Sequence, residues 1–329
     1  MQATIANYAG SAMNTIPLTF NQRQVTLTVM GGSGPTKKSD SPVSCLILNR
    51  NGSQFLSHCL EAARDSYFAD IVCVSYGKPS LLLESLVRQF PFVRFIATEE
   101  SLTVGDMINI GMAQVEGDYV LVVNDSMCNQ STLLSQNLAE KLCELSQFCV
   151  CPRLVASPMQ NQLVRFAPDV SKGYFSVYPS FNIVDGCPTL YAADWAGLYS
   201  RKLYEQLGGA DYTITSEYWQ KLDLFMRAWL WGEKVTLSSA FSFSYAQPPQ
   251  PEDATADISY LRFYLKNLAP SFEVDHAVIP KTSFFSFKRR SSMGFNEALK
   301  NFKEARHWVE ENKYRFKTDA ALLIENWGK

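Results

Sequence analysis

Between residues 43 and 124, short apolar runs alternate with amphipathic stretches, and this alternation constrains the fold more than any other feature of the chain. The runs read as strands Val43–Leu48, Asp70–Ser75, Phe92–Ala97 and Tyr119–Val123, and the stretches between them as helices Gln54–Arg64, Ser80–Gln89 and Thr103–Val115. Such alternation joins parallel strands through right-handed crossovers, so an α/β chain with a mostly parallel sheet flanked by helices is predicted. The run Tyr119–Val123 is too short for a helix and apolar throughout, as expected of a central strand buried on both faces. Asn124 and Asp125 follow it at once, where ligands of open α/β sheets collect. A simple strand-ending turn would use the same residue types for purely local reasons.

The flanks are organised differently. Residues 1–40 hold one short alternating strand, Gln24–Met30, and then the linker composition of Gly31–Asp40, so the main domain is expected over 41–246. After a helix Ser131–Leu145 and a strand Phe148–Val155 comes a Pro-containing aromatic stretch, 158–191, read as a hairpin or irregular flap. Helices Arg201–Leu207 and Ser216–Trp231 each end at the glycine that favours a left-handed cap. Strands Lys234–Leu237 and Phe241–Tyr245 precede the Pro-rich tether Gln247–Pro251 and a helical extension over 247–329, where Phe295, Leu299, Phe302 and Val309 recur at helical spacing.

Composition narrows the functional classes. With 329 residues, 47% of them hydrophobic, the chain can bury a large core, and a net charge of −2 argues against a nucleic-acid partner. No apolar run approaches the ~20 residues of a spanning helix and no signal peptide is legible, so a cytoplasmic protein is expected. The eight cysteines are scattered, several in apolar segments, and read as buried hydrophobes rather than a disulfide framework. His58, His276 and His307 are isolated, with no pair at ligand spacing. Lys288-Arg289-Arg290 reads as a solvated turn, with peripheral contact to an anionic membrane as the other reading.

The blocks Val43–Gly52, then Asn109–Gly111 followed by Gly117–Asp125, and above all Tyr199–Lys234, resemble family 2 glycosyltransferases of the GT-A fold, a Rossmann-like nucleotide-sugar-binding architecture. The likeness covers roughly residues 43 to 240, and its last block is the most specific, with a basic pair, a Leu-Gly-Gly-x-Asp turn and an Asp-Leu-x-x-Arg-Ala-x-x-x-Gly helix. The resemblance implies transfer of a sugar, with inversion, from a nucleotide-diphosphate donor to a glycan, lipid-linked or protein acceptor. It places Asn49 and Asn51 in the first donor loop, Asn109 facing the donor, and Asn124 and Asp125 on the diphosphate motif, where Asp125 would hold Mg or Mn. It puts the general base on the helix carrying Asp223. The chain departs from the family at Ser75-Tyr76-Gly77, where a base-contacting Asp is usual, at Ser126 in place of the final metal carboxylate, and at Gln220-Lys221 in place of an acidic pair. Asp223, and Glu217 beside it, remain as bases.

Two residues carry alternative readings. Asp223 is equally placed to pair with Arg227 four residues later. Asp194-Trp195 would present a carboxylate and a ring face to an acceptor sugar, or else form a capped, buried Trp. The altered motifs keep a second function class open, a catalytically inactive transferase-like binding or assembly protein.

Overall fold

All seven residues of β3 (Val43–Asn49) are buried, and β6 (Tyr119–Asn124) is buried from Val120 onward, as strands covered on both faces must be. In the computed structural model these two pair in parallel, with Leu48 opposite Asn124, and β3 pairs on its other side with β4 (Ile71–Tyr76). The structure describes residues 3–6, 25–33, 40–50, 55–77, 81–127, 131–157, 160–171, 174–247 and 249–328. Beyond β4 come β5 (Arg94–Thr98), then β2 (Val25–Gly31) and β1 (Ala3–Ala6), the last two antiparallel. On the far side of β6 the short β11 (Gly197–Ser200) runs antiparallel to both its neighbours, β6 and β7 (Cys149–Ser157). The strand β12 (Val235–Ser244) is parallel to β7, and β8 (Gln160–Asn161) completes a 10-stranded, mostly parallel sheet.

Helices α1 (Leu56–Arg64), α2 (Leu81–Gln89) and α3 (Val104–Gln114) are the crossovers expected from the sequence. In α3 the Thr103 side chain accepts the Asp106 N–H while the Asp106 carboxylate accepts the Thr103 N–H, a reciprocal cap that fixes the start of the helix. The next helix, α4 (Gln136–Glu144), begins later than predicted. The Leu133 and Leu134 N–H groups donate to Ser66 Oγ and the Leu134 carbonyl accepts from Tyr67, so that backbone is already engaged outside a helix. The aromatic stretch forms the hairpin of β9 (Arg165–Ser171) and β10 (Tyr174–Ser180). The two strands expected after residue 234 are one strand, β12, with a bulge between Ser238 and Ser242.

Within the segment 1–40 expected to precede the main domain, β2 pairs through Leu27–Gly31 with β5 and extends the same sheet. The C-terminal segment is likewise packed onto the sheet domain. After α5 (Arg201–Leu207) and α6 (Glu217–Leu230) come α7 (Ile258–Phe263), a π-helical turn (Tyr264–Leu268) and the small hairpin of β13 (Ser271–Glu273) and β14 (His276–Val278). The chain ends in α8 (Ser283–Arg290), α9 (Phe295–Asn312) and α10 (Ala320–Glu325). Trp308 of α9 stacks on Trp231 at 6.2 Å, and Lys317 N–H donates to the Leu230 carbonyl at 2.8 Å. No helix among the described residues is long and apolar enough to cross a membrane. Cys45, Cys73, Cys149 and Cys151 are free and buried as expected, whereas Cys59 is disulfide-bonded, against that reading.

Candidate active site

The carboxyl ends of β3 and β6 open onto a cleft of about 980 Å³, whose lining includes Arg50, Asn124, Ser126, Asp194, Glu217 and Lys221. Arg50 leaves the end of β3 and organises it. Its guanidinium donates to Asp194 Oδ1 at 2.7 Å and to Glu217 Oε2 at 2.8 Å. Burial opposes its charge, but Asp194 and Glu217 outweigh that and hold the guanidinium above its ordinary pKa.

Asp194 stands on strained backbone. It has φ 48° and is followed by Trp195 at φ 63°, two successive non-glycine residues in left-handed conformation. Two hydrogen bonds fix the kink: Asn124 Nδ2 donates to the Asp194 carbonyl at 3.0 Å, and Tyr199 OH donates to the Trp195 carbonyl at 2.8 Å. Both Asp194 oxygens are engaged, the second by Tyr245 OH at 3.1 Å. Burial raises the Asp194 pKa against the pull of Arg50.

Glu217 begins α6, where the helix N-terminus favours negative charge. Its side chain is 39% exposed and one oxygen is held by Arg50, while Oε1 makes no hydrogen bond among the described residues. Burial lifts its pKa above the ordinary carboxylate range, although Arg50 and Lys221 pull it down. Lys221, one turn on, faces the same cleft and pairs with Glu252, which also accepts from Tyr191 OH at 3.2 Å. Gln247, Gln250 and Glu252 line the cleft as well, so the Pro-rich segment after β12 is part of the site rather than a mere tether.

Asp223 is corrected by its burial. It is 0% exposed, on another face of α6, and its carboxylate accepts from Arg227 Nη2 at 2.9 Å, Lys266 Nζ at 3.0 Å and Asn267 Nδ2 at 2.8 Å. A sealed, saturated carboxylate has no path to an acceptor hydroxyl. Lys266 also pairs at 2.8 Å with the buried Asp211 of the Gly-Gly turn, and Arg227 donates to the Leu207 and Gly209 carbonyls. Gly208, at φ 85°, supplies the left-handed residue that lets α5 end there.

Asn109 is drawn into the same scaffold. Its amide donates to the Ala210 carbonyl at 2.9 Å, and its oxygen accepts from Tyr204 OH and Ala210 N–H, so it joins α3 to the turn instead of facing a donor. Trp195, 0% exposed and packed 6.3 Å from Phe225, belongs to the core and offers no ring face to a sugar. Asn49 is buried and donates to Ser75 Oγ at 2.8 Å, and Asn51 lies outside the described residues. Asp125, 1% exposed, sits between two residues that line the cleft and accepts the Arg50 N–H at 3.4 Å.

Among the described residues no three His, Cys, Asp or Glu side chains stand close enough to hold a metal ion. One carboxylate beside the oxygens of Asn124 and Ser126 suits a hard cation when the bound ligand supplies further oxygens.

No family model matches the sequence, and no curated protein matches it. Solved structures do. GalNAc-T7, crystallised with UDP, GalNAc and Mn²⁺, superposes with a TM-score of 0.56 at 14% identity over 87% of this chain, which spans 57% of that one. S. aureus TarS residues 1–349 with UDP-GlcNAc gives 0.47 at 13% identity, over 82% of this chain and 72% of that one. A mannosyltransferase from Pyrobaculum calidifontis with GDP-Man and Mn²⁺ gives 0.42 at 11%, over 84% and 73%. The GalNAc-T7 likeness carries the fold, and at that identity it leaves the chemistry to the residues in the cleft. Sheet order, flanking helices and this superposition agree that the chain has the GT-A fold of nucleotide-sugar glycosyltransferases.

Proposed function

We propose that the protein is an inverting glycosyltransferase of the family 2 kind, moving a sugar from a nucleotide-diphosphate donor to a hydroxyl of a glycan, lipid-linked or protein acceptor. The observation that carries this reading is Glu217, a carboxylate in the cleft with one oxygen anchored by Arg50 and the other without a hydrogen bond among the described residues, its basicity raised by burial. In the reaction Glu217 takes the acceptor hydroxyl proton as the oxygen attacks the anomeric carbon in line. The new carbon–oxygen bond forms as the bond to the diphosphate breaks, and the nucleoside diphosphate leaves with that electron pair. Asp194 keeps Arg50 in place, and Arg50 in turn keeps Glu217 aimed. Asn124 and Asp125 border the diphosphate, and when Mg or Mn is bound Asp125 would hold it and the ion would neutralise the leaving group's charge.

The same reading divides the chain into an N-terminal extension, the transferase domain and a helical C-terminal extension. It sets the protein in the cytoplasm; among the described residues six cysteines are free, while the disulfide at Cys59 runs against that placement. The clamp of Arg50 on both Asp194 and Glu217 favours a second reading, an inactive transferase-like binding protein whose carboxylates stay neutralised. Incubation with a panel of uridine and guanosine diphosphate sugars separates the two. Release of nucleotide from at least one donor, lost in Glu217→Gln, supports the enzyme; tight nucleotide binding without release from any donor supports the binding protein.

A further inference from the structure

Helix α8 buries one face and leaves the other bare. Phe284 and Phe287 are buried and packed on Phe302 of α9, with ring centroids 5.4 and 6.3 Å away. On the outer side Phe285 is 74% exposed, and Phe295, at the start of α9, is 58% exposed. Phe284 touches both edge-on, at 5.8 and 5.5 Å, so the two exposed rings flank a single buried anchor. Lys288 and Arg289 lie three and four residues beyond Phe285, on its side of the helix. From residue 277 to 296 the chain carries Lys281, Lys288, Arg289 and Arg290 and not one Asp or Glu.

Single exposed hydrophobic residues are ordinary. Two exposed phenylalanines sharing one anchor, beside cations and with no acid in the segment, match the chemistry of an anionic interface with an apolar interior. We propose that this face of α8 docks the protein on the surface of an anionic lipid bilayer, with Phe285 and Phe295 inserted at the headgroup boundary and Lys281, Lys288 and Arg289 on lipid phosphates. The basic cluster is therefore the end of an amphipathic helix rather than the solvated turn its sequence suggests. Arg290 is turned to another task, stacking over Tyr174 of β10 and Tyr264 at 5.3 and 5.4 Å. It thereby ties α8 to the hairpin whose Pro179 lines the cleft. On the transferase reading, docking would bring the cleft edge to a lipid-linked acceptor, but docking itself does not depend on that reading.

The test is flotation of the full chain with phosphatidylcholine vesicles, with and without about a third phosphatidylserine, at low and high salt. Binding is expected to the phosphatidylserine vesicles at low salt, weakened roughly ten-fold or more by high salt or by Lys288→Glu with Arg289→Glu. Phe285→Ser with Phe295→Ser should lower binding at every salt concentration. All four sites are at the surface, away from the cleft, so melting curves and donor turnover should match the wild type. In Phe285→Trp, tryptophan emission should shift to the blue on addition of phosphatidylserine vesicles. Equal flotation with both vesicles, no flotation with either, or variants that bind as the wild type does would overturn the proposal.

Discussion

Helix α6 serves two charge clusters that differ in almost every respect. Toward the cleft, Glu217 and Lys221 meet Arg50, Asp194 and Glu252, on side chains from 1% to 39% exposed. Behind the helix, Asp223 and Arg227 meet Asp211, Lys266 and Asn267, with no side chain in the ion pairs Asp223–Arg227, Asp223–Lys266 and Asp211–Lys266 more than 3% exposed. The sealed cluster satisfies each of its carboxylates several times over, and burial at Asp211 is outweighed by Lys266 and Arg262, which hold it well below the ordinary carboxylate range. In the open cluster one Glu217 oxygen makes no hydrogen bond among the described residues, and burial shifts the Asp194 and Glu217 carboxyls up rather than down. A carboxylate raised by burial at the edge of a cleft suits proton transfer, and carboxylates saturated by cations behind the helix suit a structural role.

The comparison is most easily broken by removing one carboxylate from the sealed cluster. Asp223→Ala leaves Arg227 in the interior without its carboxylate partner and Lys266 with Asp211 alone, and a loss of about 3–5 kcal/mol is expected in urea titration. A loss no larger than that of an exposed residue would show that the cluster is not structural.

The next effect in size concerns Asp125. Because it is one carboxylate, nucleotide diphosphate and Mg²⁺ or Mn²⁺ should bind together and poorly apart. Each pair at about a hundred times its dissociation constant should add roughly 2.7 kcal/mol of stability, read as a melting shift that neither component gives alone. An equal shift without metal, or one that survives Asp125→Ala, would leave Asp125 a turn residue.

A smaller change sharpens the open cluster. Tyr245→Phe removes the hydrogen bond to Asp194 Oδ2 and should cost about 0.5–1.5 kcal/mol. If turnover falls more than stability, Asp194 positions Arg50; if both are unchanged, the hydroxyl is incidental.

The two clusters should also oppose each other in their pH dependence. Asp211, with a depressed folded pKa, adds stability above about pH 4, which is lost as the pH falls below that value. Asp194 and Glu217, with raised folded pKa values, add stability below about pH 4, which is lost as the pH rises through those values. The second slope is the shallower, because solvent screens the half-open Glu217. Asp211→Asn should flatten the acid limb and Glu217→Gln the limb above it. Acid limbs that coincide for wild type and Asp211→Asn would contradict the assignment.

Much of this was legible in the sequence. The parallel strands from β3 to β6, the crossover helices and the glycine-ended helices could be read because each rests on local periodicity and caps. The place of the cleft beyond β6 followed from the alternation as well. The contents of the site did not follow. Arg50 meets Asp194 across 144 residues and Glu217 across 167, and no local pattern records such meetings. Asp223 and Glu217 lie on the same helix, and only the packing of α6 decides which of them faces solvent. Asn109 and the Leu-Gly-Gly-x-Asp turn stood out as a motif, yet their polar atoms are spent on each other and on Arg227. Glu252 escaped notice because it follows a Pro-rich segment that reads as a tether.

The most direct test compares Glu217→Gln with Asp223→Asn in one assay, as sugar transfer per folded molecule at a temperature where both variants are native. The account predicts that Glu217→Gln loses about 10²–10⁴ in rate with a melting temperature near that of the wild type, while Asp223→Asn melts earlier but turns over at close to the wild-type rate. Full activity in Glu217→Gln beside a folded, inactive Asp223→Asn would contradict it.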